Sequence, residues 1–248
     1  MGIVSYAQNF EEVMLWRALK NVENGFYIDV GAAWPDEHSV TKAFSDHGWS
    51  GINIEPNPSF IKQYISKRPN DINLQVAVSD KIGVAELYFI EGTGLSSLDE
   101  AIASSHKDLG FETTPSKVNL TTLENICEEY VQNKDIHFLK VDVEGFEKYV
   151  LLGNDWRKYR PWIVLVEATL PMSQEENHED WEYILLDAEY SFAYADGLNH
   201  FYVSNEHSEL LDAFKYPPNV FDRFDLATRV QAEAKASEAE AKASEAEA

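Results

Sequence analysis

The chain has 248 residues, of which 43 are acidic and 20 basic, for a net charge of −23. A 44% hydrophobic and 12% aromatic composition is that of a globular protein, and the length suits one α/β domain with a full core. The acid surplus, with no basic stripe, argues against nucleic acid or an anionic membrane as partner. No apolar run reaches the ~18 residues of a membrane helix, and the N-terminus lacks the pattern of a secretory signal, so a cytoplasmic location is expected. The single cysteine, Cys127, sits in an apolar helical period and reads as a buried structural thiol.

In chain order, the spacing of Phe10, Val13, Met14, Leu15 and Ala18 predicts an amphipathic helix over 9–20. Residues 26–30 read as a buried strand, Gly31 as a tight turn, and a helix opens near Ser39. A second strand covers 51–54, followed by a helix from Pro58 to Ser66. Residues 72–78 suit a buried parallel strand, and 84–90 a strand near the sheet edge. The irregular stretch 92–114 is expected to be a lid with a short helix. A helix over 120–133 is capped by Thr121 or Thr122. Strands at 136–143 and 162–168 and helices at 145–152 and 178–188 complete the alternation. Residues 190–204 read as a hairpin turning at Asp196-Gly197. This order describes a doubly wound, mostly parallel sheet closed by an antiparallel C-terminal hairpin, the feature that separates a methyltransferase-type sheet from a dehydrogenase-type one.

The first loop narrows the cofactor. Gly31 lets a ligand approach the backbone, and Glu55 at the tip of the next strand stands where ribose hydroxyls are gripped in Rossmann-like sheets. The G-x-G-x-x-G run that seats a pyrophosphate is missing; the loop continues Ala32, Ala33, Trp34, Pro35, Asp36, Glu37. Asp29, Asp36 and Glu37 suit a cofactor that has a positive centre and no phosphates, which points to S-adenosylmethionine. The plainer reading is an ordinary βαβ unit.

Polar residues collect at the carboxyl ends of the predicted strands: Asp29 and Gly31, Glu55, Ser79 and Asp80, Asp142 and Glu144, Glu167 and Thr169. Asp142 and Glu167 fall on adjacent strands. With Glu144 they are the candidate ligands for Mg²⁺ or another hard divalent cation; alternatively Asp142 is a general base toward a substrate hydroxyl. The plainer reading is that Asp142 and Glu144 cap the helix that follows. His38, His178 and His200 are further base candidates. No histidine stands in ligand spacing with another histidine or a cysteine, which argues against zinc.

The segments SYAQNFEEVMLWRAL (5–19), GFYIDVGA (25–32), INIEPNP (52–58), LKVDVEGFE (139–147) and VEATLP (166–171) together resemble the FkbM family of SAM-dependent methyltransferases. The resemblance spans roughly residues 5–225. It implies a Rossmann-like class I methyltransferase fold, O-methyl transfer, and a role in making bacterial surface polysaccharide such as O-antigen, or a natural product. It further implies cofactor contacts from Asp29, Gly31, Glu55 and the strand end at Ala77, Val78 and Ser79, with Asp142 near the reacting methyl. Gln8, Asn9 and Glu11 are additional contacts. Asp142, His38 and His200 are the expected catalytic residues. The chain departs from many members at Ala33, where they carry asparagine, so that loop's contacts are left open.

After Arg229 the composition changes to an alanine-rich seven-residue repeat, marked by Lys235 and Lys242 and by Ser237 and Ser244. The expected organisation is a methyltransferase domain over 1–229 and the start of a coiled-coil helix over 230–248 that continues into a longer rod. Such a rod would bring a second copy or a fused module, and the acceptor would be a saccharide, methylated as a chain-terminating cap. The alternatives are a silent nucleotide-binding scaffold, a nicotinamide-dependent oxidoreductase, or a methyltransferase of a small natural product.

Overall fold

The computed structural model describes residues 2–247, with side chains to residue 244. The chain opens with a short strand β1 (Val4–Ser5) and helix α1 (Glu11–Leu19), then β2 (Phe26–Val30), α2 (Lys42–Asp46), β3 (Ser50–Ile54), α3 (Pro58–Lys67) and β4 (Ile72–Leu74). Next come β5 (Ala77–Val78), β6 (Gly83–Ile90), α4 (Glu100–Asp108), β7 (Thr113–Thr121) and α5 (Leu123–Ile126), whose end widens into a π turn at Cys127–Val131. β8 (Phe138–Val141), α6 (Glu147–Leu152), β9 (Ile163–Glu167), α7 (Glu182–Asp187), β10 (Tyr190–Ala195) and β11 (Asn199–Ser204) follow. A 3₁₀ segment (Asn205–Phe214), β12 (Asp225–Leu226) and α8 (Ala227–Glu247) end the chain.

The central sheet has seven strands in the order β10-β11-β9-β8-β2-β3-β4. Strands β4, β3, β2, β8 and β9 are parallel, and β11 lies antiparallel between β9 and β10. Alternation along each strand builds a core on each face. Ile28, Val30, Ile52, Ile54, Leu139, Val141, Val164 and Val166 pack on one side. Tyr27, Phe138, Ile163, Leu165, Phe201 and Val203 face the other, against Met14, Leu15 and Leu19 of α1 and Phe44 of α2. The mostly apolar composition of these strands, broken at Asp29, Asn53 and Lys140, follows from burial of both faces.

Four expectations change. The apolar run 72–78 is not one strand: Ile72–Leu74 forms the half-buried edge of the central sheet, whereas Ala77 and Val78 pair with Leu120 and Thr121 in a second sheet. That second sheet, ordered β5-β7-β6, contains the long hairpin of β6 and β7, with α4 inside its connection. β7 has no sequence signal because it is polar and mostly exposed, with only Leu120 buried. The helix expected from Ser39 begins at Lys42, because Thr41 turns its hydroxyl onto Asp29. The helix expected over 178–188 is a 3₁₀ turn, a break at Trp181, and then α7.

The heptad segment is one solvent-exposed helix that starts at Ala227, and Ala248 lies outside the described residues. Among the described residues no helix is long and apolar enough to cross a membrane.

Candidate active site

A cavity of about 350 Å³ opens at the carboxyl ends of β2, β3 and β8, within the ordinary size range of small-molecule sites. This is where the topology of an open parallel sheet places a ligand, because the strands on either side of β2 connect in opposite directions. Of the expected site residues, Gln8, Gly31, His38, Glu55, Ala77, Val78, Asp142 and Glu144 line it. Residues 92–96 of the expected lid form one wall, and Trp34 stands against them, packed on Phe60 at 4.9 Å between ring centroids.

Gly31 has φ +77°, and a Cβ built there would sit 1.7 Å from the carbonyl oxygen of Asp142. The glycine is thus required by the close approach of the protein's own β8 end as well as by its left-handed backbone. The loop that follows is held from α3: the Tyr64 hydroxyl donates to the Ala32 carbonyl at 2.8 Å, and the Arg68 guanidinium donates to the Pro35 carbonyl at 2.6 Å.

Beneath the cavity lies Lys140, which the sequence reading passed over. Its Nζ donates to the Gly31 carbonyl at 2.9 Å and stands 3.4 Å from Asp29 and 3.3 Å from Asp142. Burial works against its charge, but Asp142 and Asp29 outweigh that and hold it above the usual lysine range. A lysine inside the otherwise apolar strand FLKV was the available signal, since lysine is almost never buried without a partner. Asp29 is its neighbour in strand register and is 1% exposed. The positive centre that Asp29 faces is therefore Lys140; Asp29 does not line the cavity, which corrects its assignment as a direct cofactor contact.

Glu55 lines the cavity while both its oxygens take backbone amides: Oε2 accepts from Ala33 at 3.0 Å and Oε1 from Asn57 at 2.7 Å. Its carboxylate pins the first loop to the tip of β3 and presents its remaining lone pairs to the cavity.

The stretch Asp142-Val-Glu-Gly-Phe-Glu147 forms a turn tied by its last residue. Glu147 Oε1 accepts from the amides of Val143 and Gly145, both at 3.1 Å. Glu144 takes φ +53°, and its Oε2 is buried without a hydrogen-bond partner, as is Glu167 Oε2. Asp142, Glu144 and Glu167 each bring one carboxylate oxygen within 4.8 Å of the others. Burial, then the Asp142 charge, pushes Glu144 up to about 9 and Glu167 well above the ordinary range.

These carboxyls set the pH response. Burial lifts Glu12, Glu55 and Glu147 to about 7 and Glu11 to about 8. Each holds its proton more tightly folded than unfolded, so its stabilisation is complete below 4.5 and is lost as pH rises to the folded value. Buried His137 and His200 shift down from 6.5, so they oppose folding only below that pH. The melting temperature is expected to fall as pH is raised from 6.5 to about 9 at constant ionic strength. A flat or rising profile would mean that the acids are ionised throughout.

Several expected contacts point elsewhere. Ser79 does not line the cavity; its hydroxyl turns to Asp80 at 3.0 Å, and its carbonyl packs against Gly153. Asn9 donates to the Asp196 carbonyl, and Glu11 accepts from Asn199, so both brace the hairpin turn. Asp36 pairs with Lys67 at the surface. His200 does not reach the cavity, which corrects its catalytic assignment: β11 points its ring toward His178, with ring centroids 4.4 Å apart. No ligand spacing in the sequence links the two histidines; they meet only because β11 folds back beside β9.

Residues 29–192 match the family profile described as Methyltransferase FkbM domain. No curated protein matches the chain. Among solved structures, the chain is similar to the methyltransferase FkbM from Methylobacillus flagellatus KT, with 12% identity and a TM-score of 0.44 over 75% of this chain. The match spans 47% of that protein's length.

Proposed function

Because the chain belongs to the FkbM methyltransferase family, we propose that it transfers a methyl group from S-adenosylmethionine to a hydroxyl of a saccharide. The observation that carries this reading is the cavity at Gly31, flanked by Glu55 at the tip of β3 and Asp142 at the tip of β8. When bound, the cofactor supplies an electrophilic methyl group. Glu55 offers free lone pairs to ribose hydroxyls, and Ala77 and Val78 offer an apolar surface to an adenine. Asp142 lines the cavity with 29% of its side chain exposed, which suits a base that takes the acceptor hydroxyl's proton. His38, exposed at the mouth, is the second candidate for that proton.

The all-oxygen set of Asp142, Glu144 and Glu167, with two orphaned buried carboxylate oxygens, fits a hard divalent cation such as Mg²⁺. Bound there, such an ion would acidify a coordinated hydroxyl.

Within this reading, residues 1–229 are the catalytic domain. The alanine heptads of α8 are a handle for a second copy or an adjoining module. The acceptor class, a surface polysaccharide of O-antigen type methylated at a terminal sugar, is supported only by family resemblance and that tail.

The test is calorimetric titration with S-adenosylhomocysteine, with and without Mg²⁺. Micromolar binding is expected, abolished in Glu55→Ala. At a hundredfold excess over Kd the ligand should add about 2.7 kcal/mol of stability. Absence of binding under both conditions would favour the scaffold reading, and binding of NAD instead would favour an oxidoreductase.

A further inference from the structure

We propose that Glu176, His178 and His200 form a binding site for a borderline divalent cation of the zinc class, separate from the cavity. Each offers one ligand atom, all within 4.8 Å of one another, and none of the three lines the cavity. They come from distinct places: Glu176 from the loop after β9, His178 from the start of the 3₁₀ turn, and His200 from β11. A tetrahedral zinc with 2.0–2.1 Å bonds needs ligand atoms roughly 3.3 Å apart, which side-chain rotation reaches from this starting geometry.

The second shell is already organised. The Tyr202 hydroxyl gives its one proton to Glu182 at 2.8 Å, so its oxygen can only accept from His200 Nδ1, 3.2 Å away. That contact places the proton on Nδ1 and leaves Nε2 with a free lone pair. A tyrosine and a carboxylate behind an imidazole are the outer partners that orient metal-bound histidines. His178 Nδ1 is buried with no hydrogen-bond partner, and the Glu176 carboxylate stands 3.4 Å from it. The rings of Trp181 and Phe192 pack about His200, with centroids 6.5 and 5.2 Å away, and limit its freedom to turn aside.

The donor set decides the class of ion. Two imidazoles and one carboxylate suit zinc or a similar transition-metal ion, whereas the oxygen-only cluster of Asp142, Glu144 and Glu167 suits a hard one. Three protein ligands leave a fourth position for water. A cation here would clasp the loop after β9, already bridged between Thr169 and Glu176, onto β11, and so brace the segment that leaves Glu167. The site does not depend on the methyl-transfer reading.

The experiment is titration of chelator-treated full-length chain with Zn²⁺ by calorimetry, together with Co²⁺ absorption as a reporter of coordination. We expect one Zn²⁺ per chain at micromolar affinity or better, intense Co²⁺ bands of a tetrahedral site, and a melting temperature raised by Zn²⁺. Glu176→Gln and His178→Ala, both outside the core, should each weaken binding at least tenfold and remove the Co²⁺ bands; His200→Ala should do the same if it folds. Glu144→Gln should leave Zn²⁺ binding unchanged. Binding that persists in Glu176→Gln and His178→Ala, or that disappears in Glu144→Gln, or no binding by the wild-type chain, would each overturn the proposal.

Discussion

Replacing Lys140 by methionine is expected to cost about 3–5 kcal/mol of folding free energy, the range for breaking a buried ion pair from one side. For a domain of this size that corresponds to a drop of roughly 6–20 °C in melting temperature. The reason lies beneath the cavity floor. Asp29 is 1% exposed, and its Oδ1 has no hydrogen-bond partner besides the ion-pair contact with Lys140. Without the ammonium, only the Thr41 hydroxyl at 3.2 Å answers that carboxylate. The Gly31 carbonyl would lose its donor too, loosening the turn that shapes the cavity. The matching double variant, Lys140→Met with Asp29→Asn, should recover a large part of the loss, because the uncompensated charge is gone. Thermal denaturation of the two single variants and the double variant reads the coupling directly. An unchanged melting temperature in Lys140→Met would show that the pair is not charged in the folded protein.

Asp142→Asn should reduce methyl transfer by about 10²- to 10⁴-fold, the span ascribed to a positioned general base. The fall should appear in kcat rather than in the acceptor's KM, measured on whichever saccharide an acceptor screen identifies. The same substitution has an effect that needs no acceptor. The Asp142 charge is, after burial, the largest influence holding Glu144 and Glu167 high. Its removal should bring both carboxyls down, so the loss of stability between pH 6.5 and 9 becomes shallower than in the wild type. If methyl transfer survives in Asp142→Asn while His38→Ala abolishes it, the base is His38 and Asp142 is left with a structural or cation-holding role. If the pH profile stays as steep as before, the three carboxyls are not electrostatically linked.

How much of this was legible in advance differs from residue to residue. The run Phe26–Val30, apolar but for Asp29, marks a strand buried on both faces, and the structure has those bounds. Pro58 marks a helix start, and in the structure the Asn57 side chain just before it accepts from the Ser59 amide. The glycine-acid pairing of Gly31 and Glu55 located the cavity, since both lie at strand ends whose direction a βαβ unit dictates. Polarity misled at the second sheet: Thr113–Thr121 gives no strand signal, because a polar and mostly exposed hairpin strand shows no apolar alternation.

The sequence by itself determined β2, β3, β8 and β9, their tips and the type of residue at each tip, because burial and backbone conformation are written there in local patterns of apolar residues, glycine and proline. Only the tertiary structure decided what each acid does there. Asp29 answers Lys140, Glu147 ties its own turn, and Glu11 braces a distant hairpin, while Asp142 and Glu144 face the cavity. His178 and His200 meet only through β11 folding back along β9. A carboxylate or an imidazole has the same chemistry wherever it stands. Its role follows from which amide, ammonium or hydroxyl the strand register brings within about 3 Å of it, and that partner is set by pairing between segments far apart in the chain.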